Sequence, residues 1–237
     1  MGRQHQMSAT VTGVVMALGL GLGLGASDLA FAQDIQLRLI NVRGMGNGSK
    51  CSMDSVHTLF AGESGSVLFD KFGVDLPAGA APRQNYAVSV CEVNLGFVLP
   101  RGTYLKSANA QVTAGAIKDR GAAGYMDASY HLLRQANSLA PALSGLGPLG
   151  RILHMSRIFQ ARDAVHEPLF DMTDMKVFGR HHVQQMCQWT RSRPVSLALQ
   201  TRLTVAATRQ NARQSAILQV DSSDTQLTLG MVTGQCI

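Results

Sequence analysis

The sequence contains few aromatic residues and few lysines, and its basic residues form no run. Aromatic residues make up 5% of the 237 positions, too few to suggest the sugar platform of a glycan-cleaving enzyme. Arginine dominates a formal net charge of +6, because lysine occurs only at Lys50, Lys71, Lys106, Lys118 and Lys176. Scattered bases are typical of a solvated surface, although such a surplus also suits anionic envelope polymers or lipid headgroups. We expect no nucleic-acid partner.

The apolar core within residues 1–32 is too short to predict a membrane-spanning helix. A weakly basic start precedes a glycine-diluted apolar core of about 16 residues, where a spanning helix needs about 20. The segment closes on Ala-Phe-Ala, which is typical of a secretory signal peptide. No cysteine follows the expected cut and no twin arginine precedes it, so neither a lipid anchor nor folded export is expected. The sequence predicts a secreted protein, extracellular or periplasmic, without an integral membrane span.

No segment of a dozen residues after position 32 has a clear helical period. Short runs alternate apolar and polar residues instead, as in VSLALQTRLTVAA (195–207) and YMDASYHLL (125–133). Strands with one apolar and one polar face predict an all-β fold, an antiparallel β-sandwich formed as one domain by residues 33–237. Further strands are expected at 35–40, 55–60, 66–72, 89–99, 103–113, 151–159, 215–220 and 225–233.

Residues 136–150 carry two prolines and three glycines. This composition predicts a long loop in a hairpin whose second strand begins near Arg151. A short amphipathic segment that lies on a membrane or on a partner is the alternative.

The cysteines are four, Cys51, Cys91, Cys187 and Cys236, at spacings of 40, 96 and 49 residues. These spacings lack the close pairs of a zinc site, and an even number in an exported chain predicts two disulfides. Of three connectivities, pairing of nearest neighbours joins Cys51 to Cys91 and Cys187 to Cys236. Cys91 lies on the inward face of its strand, so its partner is expected from the preceding 40 residues. A meander of the last three strands would return the tail to the region of Cys187.

No pattern indicates a catalytic, cofactor-binding or metal site. His181 and His182 are adjacent, and neighbours on a strand point to opposite faces, so a shared metal is not expected. The acid pairs Asp171/Asp174 and Asp221/Asp224 offer few ligands for calcium. GESGS (62–66) ends on serine where a nucleophile elbow has glycine, and is interpreted as a turn.

Several blocks together resemble an uncharacterised family of secreted proteins, domain-of-unknown-function family 4360. They are GNGSKC (46–51), SVHTLFAGESGSVLFDKFGV (55–74), CEVNLGFVLPRGTYL (91–105), DRGAAGYMDASYHL (119–132) and CQWTRSRPVSLALQTRLTV (187–205), with Cys236 almost at the terminus. The family tends to have tryptophan before its third cysteine, whereas Trp189 follows Cys187 here. The resemblance implies a secreted, disulfide-linked β-sandwich and transfers no catalytic residues.

Three functions are compatible with the sequence. The leading one is a non-catalytic secreted or envelope module that binds a surface polymer or another envelope protein through loops at one end of the sandwich. The second is a hydrolase of cell-wall or extracellular glycans that uses some of Asp70, Asp75, Asp171 and Asp174. The third is a structural coat component that self-associates through strand edges. We expect no enzymatic activity and no cofactor.

The exported protein is expected to begin at Gln33, because the small residues before it fit the signal-peptidase pocket. Amino-terminal sequencing of protein recovered outside the cytoplasm checks this. Recovery there of chains that still begin at Met1 or residue 2 would contradict it.

Overall fold

A computed structural model describes residues 35–46, 51–61, 64–70, 72–79, 84–134, 150–220 and 226–236. These ranges form two packed sheets with antiparallel pairing throughout, so the expected antiparallel β-sandwich is confirmed. The elements are β1 (Arg38–Gly46), a 3-10 turn (Met53–Ser55), β2 (Val56–Ala61), β3 (Ser64–Phe69), β4 (Phe72–Leu76), β5 (Tyr86–Leu99), β6 (Thr103–Lys118), β7 (Ala122–Arg134), β8 (Gly150–Phe159), β9 (Val165–Val177), α1 (Arg180–Thr190), β10 (Val195–Arg209), β11 (Ala216–Val220) and β12 (Gln226–Gln235).

The first sheet has five strands in the order β1-β5-β10-β7-β8. Its inward face is the apolar face expected from the alternation of β5, β7 and β10. One row of leucines crosses four strands, with Leu199 of β10 between Leu95 of β5 and Leu132 of β7, and Leu39 of β1 beyond Leu95. Leu95, Leu132 and Leu199 are almost fully buried. Burial of each contributes about 1.5–3 kcal/mol relative to an exposed position.

The second sheet is organised by β6, whose two edges are both paired. One edge pairs with β12 over residues 103–112 of β6 and then with β11 over residues 115–118. The other edge pairs with β9. Because β12 continues to β3 and β2 while β11 continues to β4, the sheet forks beyond β6. Half of the inward side chains of β6 are alanines, which leave room for large buried side chains of the facing sheet such as Tyr130 and Leu153.

The two sheets meet at one corner through β8 and β9, which are consecutive strands in different sheets. The backbone amide of His154 donates to Asp174 Oδ2 at 2.8 Å. Arg157 pairs with Glu167, and its guanidinium lies over the ring of Phe170, 4.3 Å from the centroid. This corner fixes β8 as the last strand of the first sheet.

Strand β9 and helix α1 correct the sequence analysis, which expected neither. Strand β9 contains a bulge at Pro168 and Leu169 in its pairing with β6, where a Cβ on Gly115 would lie 2.6 Å from the Pro168 carbonyl oxygen. The helix is only 11 residues long, and its buried residues are Met186 and Thr190. It was interpreted as strand because its apolar face is too sparse to show a helical period.

The disulfides join Cys51 to Cys91 and Cys187 to Cys236, with Cα separations of 5.5 and 5.7 Å, so the expected pairing is confirmed. Cys51 and Cys91 lie in the core. The last three strands do not form the expected meander, so that argument for the second pair is wrong. Strand β10 belongs to the first sheet, while β11 and β12 pair with β6 in the second. Cys236 instead reaches α1 beside the β5–β6 turn, where its amide donates to the Gly102 carbonyl at 2.8 Å.

The long segment before β8 lies outside the described residues, and β8 begins at Gly150, close to the expected Arg151. In the described part of the chain, no helix is long and apolar enough to cross a membrane.

Loss of the Cys51–Cys91 disulfide is expected to destabilise the protein more than loss of Cys187–Cys236. The two bonds close loops of similar length, 40 and 49 residues, so their effects on the unfolded chain are nearly equal, roughly 4 kcal/mol each. Only the Cys51–Cys91 pair fills the core, so its double alanine variant is expected to cost about 1 kcal/mol more. Urea unfolding of the two double variants measures the difference, and equal midpoints would contradict it.

Candidate functional site

The outer face of the five-stranded sheet carries two adjacent rows of polar side chains that cross all five strands. The arginine row consists of Arg43, Glu92, Arg202, Ser129 and His154, which are neighbours in register from β1 to β8. The amide row runs beside it and consists of Asn41, Asn94, Gln200, His131 and Arg151. With strands about 4.8 Å apart, each row is about 19 Å long.

A β-bulge shapes the amide row at each edge of the sheet. At one edge, Tyr130 pairs with Leu153 while His131 pairs with Arg151, so Ile152 is the extra residue. Ile152 and Leu153 are both buried, and Arg151 emerges on the outer face beside His131. At the other edge, a bulge at Ile40 brings Asn41 opposite Asn94. Bulges re-aim side chains and are frequent next to functional sites.

The arginines of these rows form no ion pair with the described residues. Glu92 lies between Arg43 and Arg202 in register, but its Oε1 accepts a hydrogen bond from Gln200 Nε2 at 2.8 Å. Within the described ranges, no ion pair includes Arg43, Arg151 or Arg202. All three are exposed. The face therefore offers guanidinium groups that are available to an anion.

His131 stands at the centre of the basic part of this surface. Burial is the main cause that lowers the pKa of its imidazole below the ordinary value, and the charges of Arg151 and Arg202 lower it further, while Glu92 acts in the opposite direction. The lowered pKa favours the neutral imidazole over the imidazolium. It is half-buried, so its ring remains within reach of solvent and of a ligand.

Asp127, Ser129 and His154 lie close together without forming a nucleophilic triad. His154 Nε2 lies 2.5 Å from Asp127 Oδ2. Ser129 faces His154 in register, yet among the described residues no hydrogen bond joins them, and Ser129 is buried. A serine nucleophile needs a hydrogen bond to the histidine that serves as its base, and among the described residues none joins Ser129 to His154.

The acids considered for hydrolysis do not converge on one cleft. Asp171 and Asp174 are three residues apart on β9, so they point to opposite faces of the strand. Asp171 accepts a hydrogen bond from Thr113 Oγ1 at 2.6 Å, and Asp70 pairs with His57 at 3.1 Å. Asp75 lies on β4. Asp221 and Asp224 lie outside the described residues.

His181 and His182 lie on α1, so the argument from strand geometry against a shared metal was wrong. Their rings contact each other edge to face, with centroids 5.9 Å apart. Cys187 is bonded to Cys236. In the described part of the chain, no group of three or more His, Cys, Asp or Glu side chains is placed to hold a metal ion. The GESGS segment leads into strand β3 at Ser64, with residues 62–63 outside the description.

Polar groups at one end of the sandwich are occupied by the fold itself. Lys118 Nζ donates to the carbonyl oxygens of Gln160 and Asp163 in the β8–β9 turn, and burial is the main cause that lowers the pKa of this ammonium. Asp119 Oδ2 accepts from the amide and the hydroxyl of Ser215 at 2.7 and 2.8 Å. These turns therefore brace one another and leave these groups less available to a ligand.

The outer face of the second sheet is different in character. Its rows on β9, β6 and β12 contain Ser107, Asn109 and the exposed apolar side chains of Met175, Val177 and Val232. A surface cavity of about 300 Å³ lies at the β2–β3 hairpin, and its described lining, Leu59 to Ala61 and Ser64 to Ser66, contains no titratable group. Neither feature offers the charge or the chemistry of the two polar rows.

Sequence analysis did not group Arg43, Arg151, Arg202 and His131. The alternation of β7 and β10 placed His131 and Arg202 on the polar face of their strands, and that signal was present. Their proximity depends on register between distant strands and on the bulge at Ile152.

No family model matches the chain, and no curated protein matches it.

The Arg202→Gln variant is expected to raise the pKa of His131, because one positive neighbour is removed. Glu92→Gln is expected to lower the same pKa, because the carboxylate favours the imidazolium. A pH titration of the His131 ring followed by NMR measures both shifts. Arg213→Gln, in the turn after β10, is the matched charge control and should leave this pKa where it is in the unsubstituted protein. Shifts of the opposite sign would contradict the described arrangement.

Proposed function

We propose that this protein is a non-catalytic binding module, secreted or held in the cell envelope, that binds an anionic polymer on the outer face of its five-stranded sheet. The observation that carries the proposal is the pair of polar rows, with three exposed arginines that form no ion pair with a described carboxylate. Arginine suits such a task because its planar guanidinium donates in pairs to oxyanions and stays charged at every physiological pH.

The shape of the face supports a polymer as the ligand. The rows extend over about 19 Å and end at both edges of the sheet, so several repeat units of a linear chain fit along them. Amide side chains at Asn41, Asn94 and Gln200 make up the part of the amide row on β1, β5 and β10. They supply neutral donors and acceptors for the uncharged groups of such a chain.

The flat sheet face has better support than the loops that sequence analysis favoured as the binding surface. The groups described above at the β8–β9 and β10–β11 turns already have partners within the fold. Much of the remaining loop sequence, including 135–149, lies outside the described residues. Membership of domain-of-unknown-function family 4360 stays a proposal that rests on the sequence blocks around the cysteines.

The two disulfides support the proposed location. Such bonds persist in oxidising compartments, so they are compatible with the export that residues 1–32 predict. Secretion itself remains a proposal, which the amino-terminal sequencing described above tests.

The Arg151→Gln and Arg202→Gln variants are each expected to weaken binding to dextran sulfate by about threefold to fivefold, the usual contribution of one exposed ion pair. Isothermal titration calorimetry at low ionic strength measures the affinity, which is also expected to fall as salt is added. Arg213→Gln removes the same charge from the turn after β10 and is expected to retain the affinity of the unsubstituted protein.

Equal weakening by all three substitutions would mean that net charge alone drives binding, which would contradict a site on this face. Absence of binding by the unsubstituted protein would contradict the proposed function.

A further inference from the structure

Three basic side chains from three adjacent strands are neighbours on the proposed binding face. Arg151 of β8 faces His131 of β7 in register, and Arg202 of β10 is diagonal to His131, because it lies two residues beyond Gln200, which faces His131. Long side chains at such facing and diagonal positions are within reach of one another. The bulge at Ile152 is what brings Arg151 opposite His131.

The origin of these donors on three different strands suits a tetrahedral anion. A carboxylate has two oxygens in one plane, and one arginine can satisfy both. A phosphate or sulfate monoester has three unesterified oxygens that point in different directions, so each of three donors from three strands can take its own oxygen. Gln200 Nε2 donates one hydrogen to Glu92, and the basic donors at this place are Arg202, His131 and Arg151.

The charge of this cluster depends on His131, which charged groups on three other strands influence. Arg151 of β8 and Arg202 of β10 oppose its protonation, and Glu92 of β5 favours it. Asp127 lies four residues before His131 on β7, beyond the arginine row, and its carboxylate is held by His154 of β8. An anion bound between the two arginines would offset their repulsion, so the imidazolium would form more easily in the complex than in the free protein.

We propose that His131, Arg151 and Arg202 form a site for one phosphate or sulfate monoester group of the anionic polymer, and that the site tightens as the pH falls because His131 becomes its third cation. This inference rests on the proposed function and names the ligand chemistry and the regulation of that same face. Protonation and anion binding are linked. If the bound anion raises the pKa of His131, protonation of His131 must raise the affinity of the site for the anion by the same factor.

The experiment compares two polymers on the mature chain at pH 7.5 and pH 5.5. Dextran sulfate with one sulfate per sugar and pectate with one carboxylate per sugar have matched charge density, and both remain charged across this range. Binding to dextran sulfate is expected to tighten by about threefold to tenfold at the lower pH, and pectate is expected to bind more weakly. Phosphorylated dextran at pH 7.5, compared with dextran sulfate, identifies which monoester the site prefers.

The His131→Gln variant is expected to lose the pH dependence, because glutamine cannot be protonated. His166→Gln, an exposed histidine on β9, is the matched control and is expected to keep the full dependence. An independent readout is the NMR titration of His131 in the unsubstituted protein, whose pKa is expected to rise when dextran sulfate is added.

The possible results test the site, the monoester group and the proposed function separately. Tightening at pH 5.5 that His131→Gln removes, together with a raised His131 pKa in the complex, supports the site. Binding to dextran sulfate that does not change with pH, or a His131 pKa that dextran sulfate leaves unmoved, overturns the site but leaves the anionic-polymer module standing. Equal affinity for pectate overturns the monoester assignment. No binding to any of the polymers at either pH overturns the proposed function as well.

Discussion

Strand β6 is paired along both of its edges, and the arrangement of the other strands follows from this pairing. One edge holds β12 and β11 end to end and the other holds β9, so this one strand joins the described branches of the second sheet. Its inward alanines leave space for large side chains from the first sheet. Its last residue, Lys118, caps the turn that leads from β8 to β9. A buried ammonium is tolerated there because backbone carbonyls take its hydrogen bonds.

The position of β9 on β6 in turn determines the edge of the proposed binding face. Strands β8 and β9 are joined by a short turn, and contacts between them hold β8 at the corner where the sheets meet. Because β8 cannot move away from that corner, its bulge at Ile152 presents Arg151 to His131. A surface feature on one sheet thus depends on pairing within the other. The regular geometry of a strand pair alone would not produce it.

The second disulfide was predicted correctly from an incorrect topology. Local sequence patterns therefore predicted the pairing of the cysteines without predicting the order of the strands. The cysteines are few enough that nearest-neighbour pairing is one of only three possibilities, so the right answer needs little information. To predict the path of the chain between Cys187 and Cys236 requires much more information, since β10 lies in one sheet and the strands that follow lie in the other. Helix α1, which carries Cys187, has too few apolar residues to show its period.

The inward and outward faces of β5, β7 and β10 could be predicted from the residues alone, because side chains alternate with a period of two and burial of an apolar face is local information. The even number of cysteines likewise predicted two disulfides. Which strands are neighbours, that β6 has three partners, and that Arg43, Arg151, Arg202 and His131 share one surface follow only from the packing of the whole chain. The reason is physical: register between distant strands depends on the packing of the whole core, and a single bulged residue such as Ile152 reverses the face of every residue beyond it.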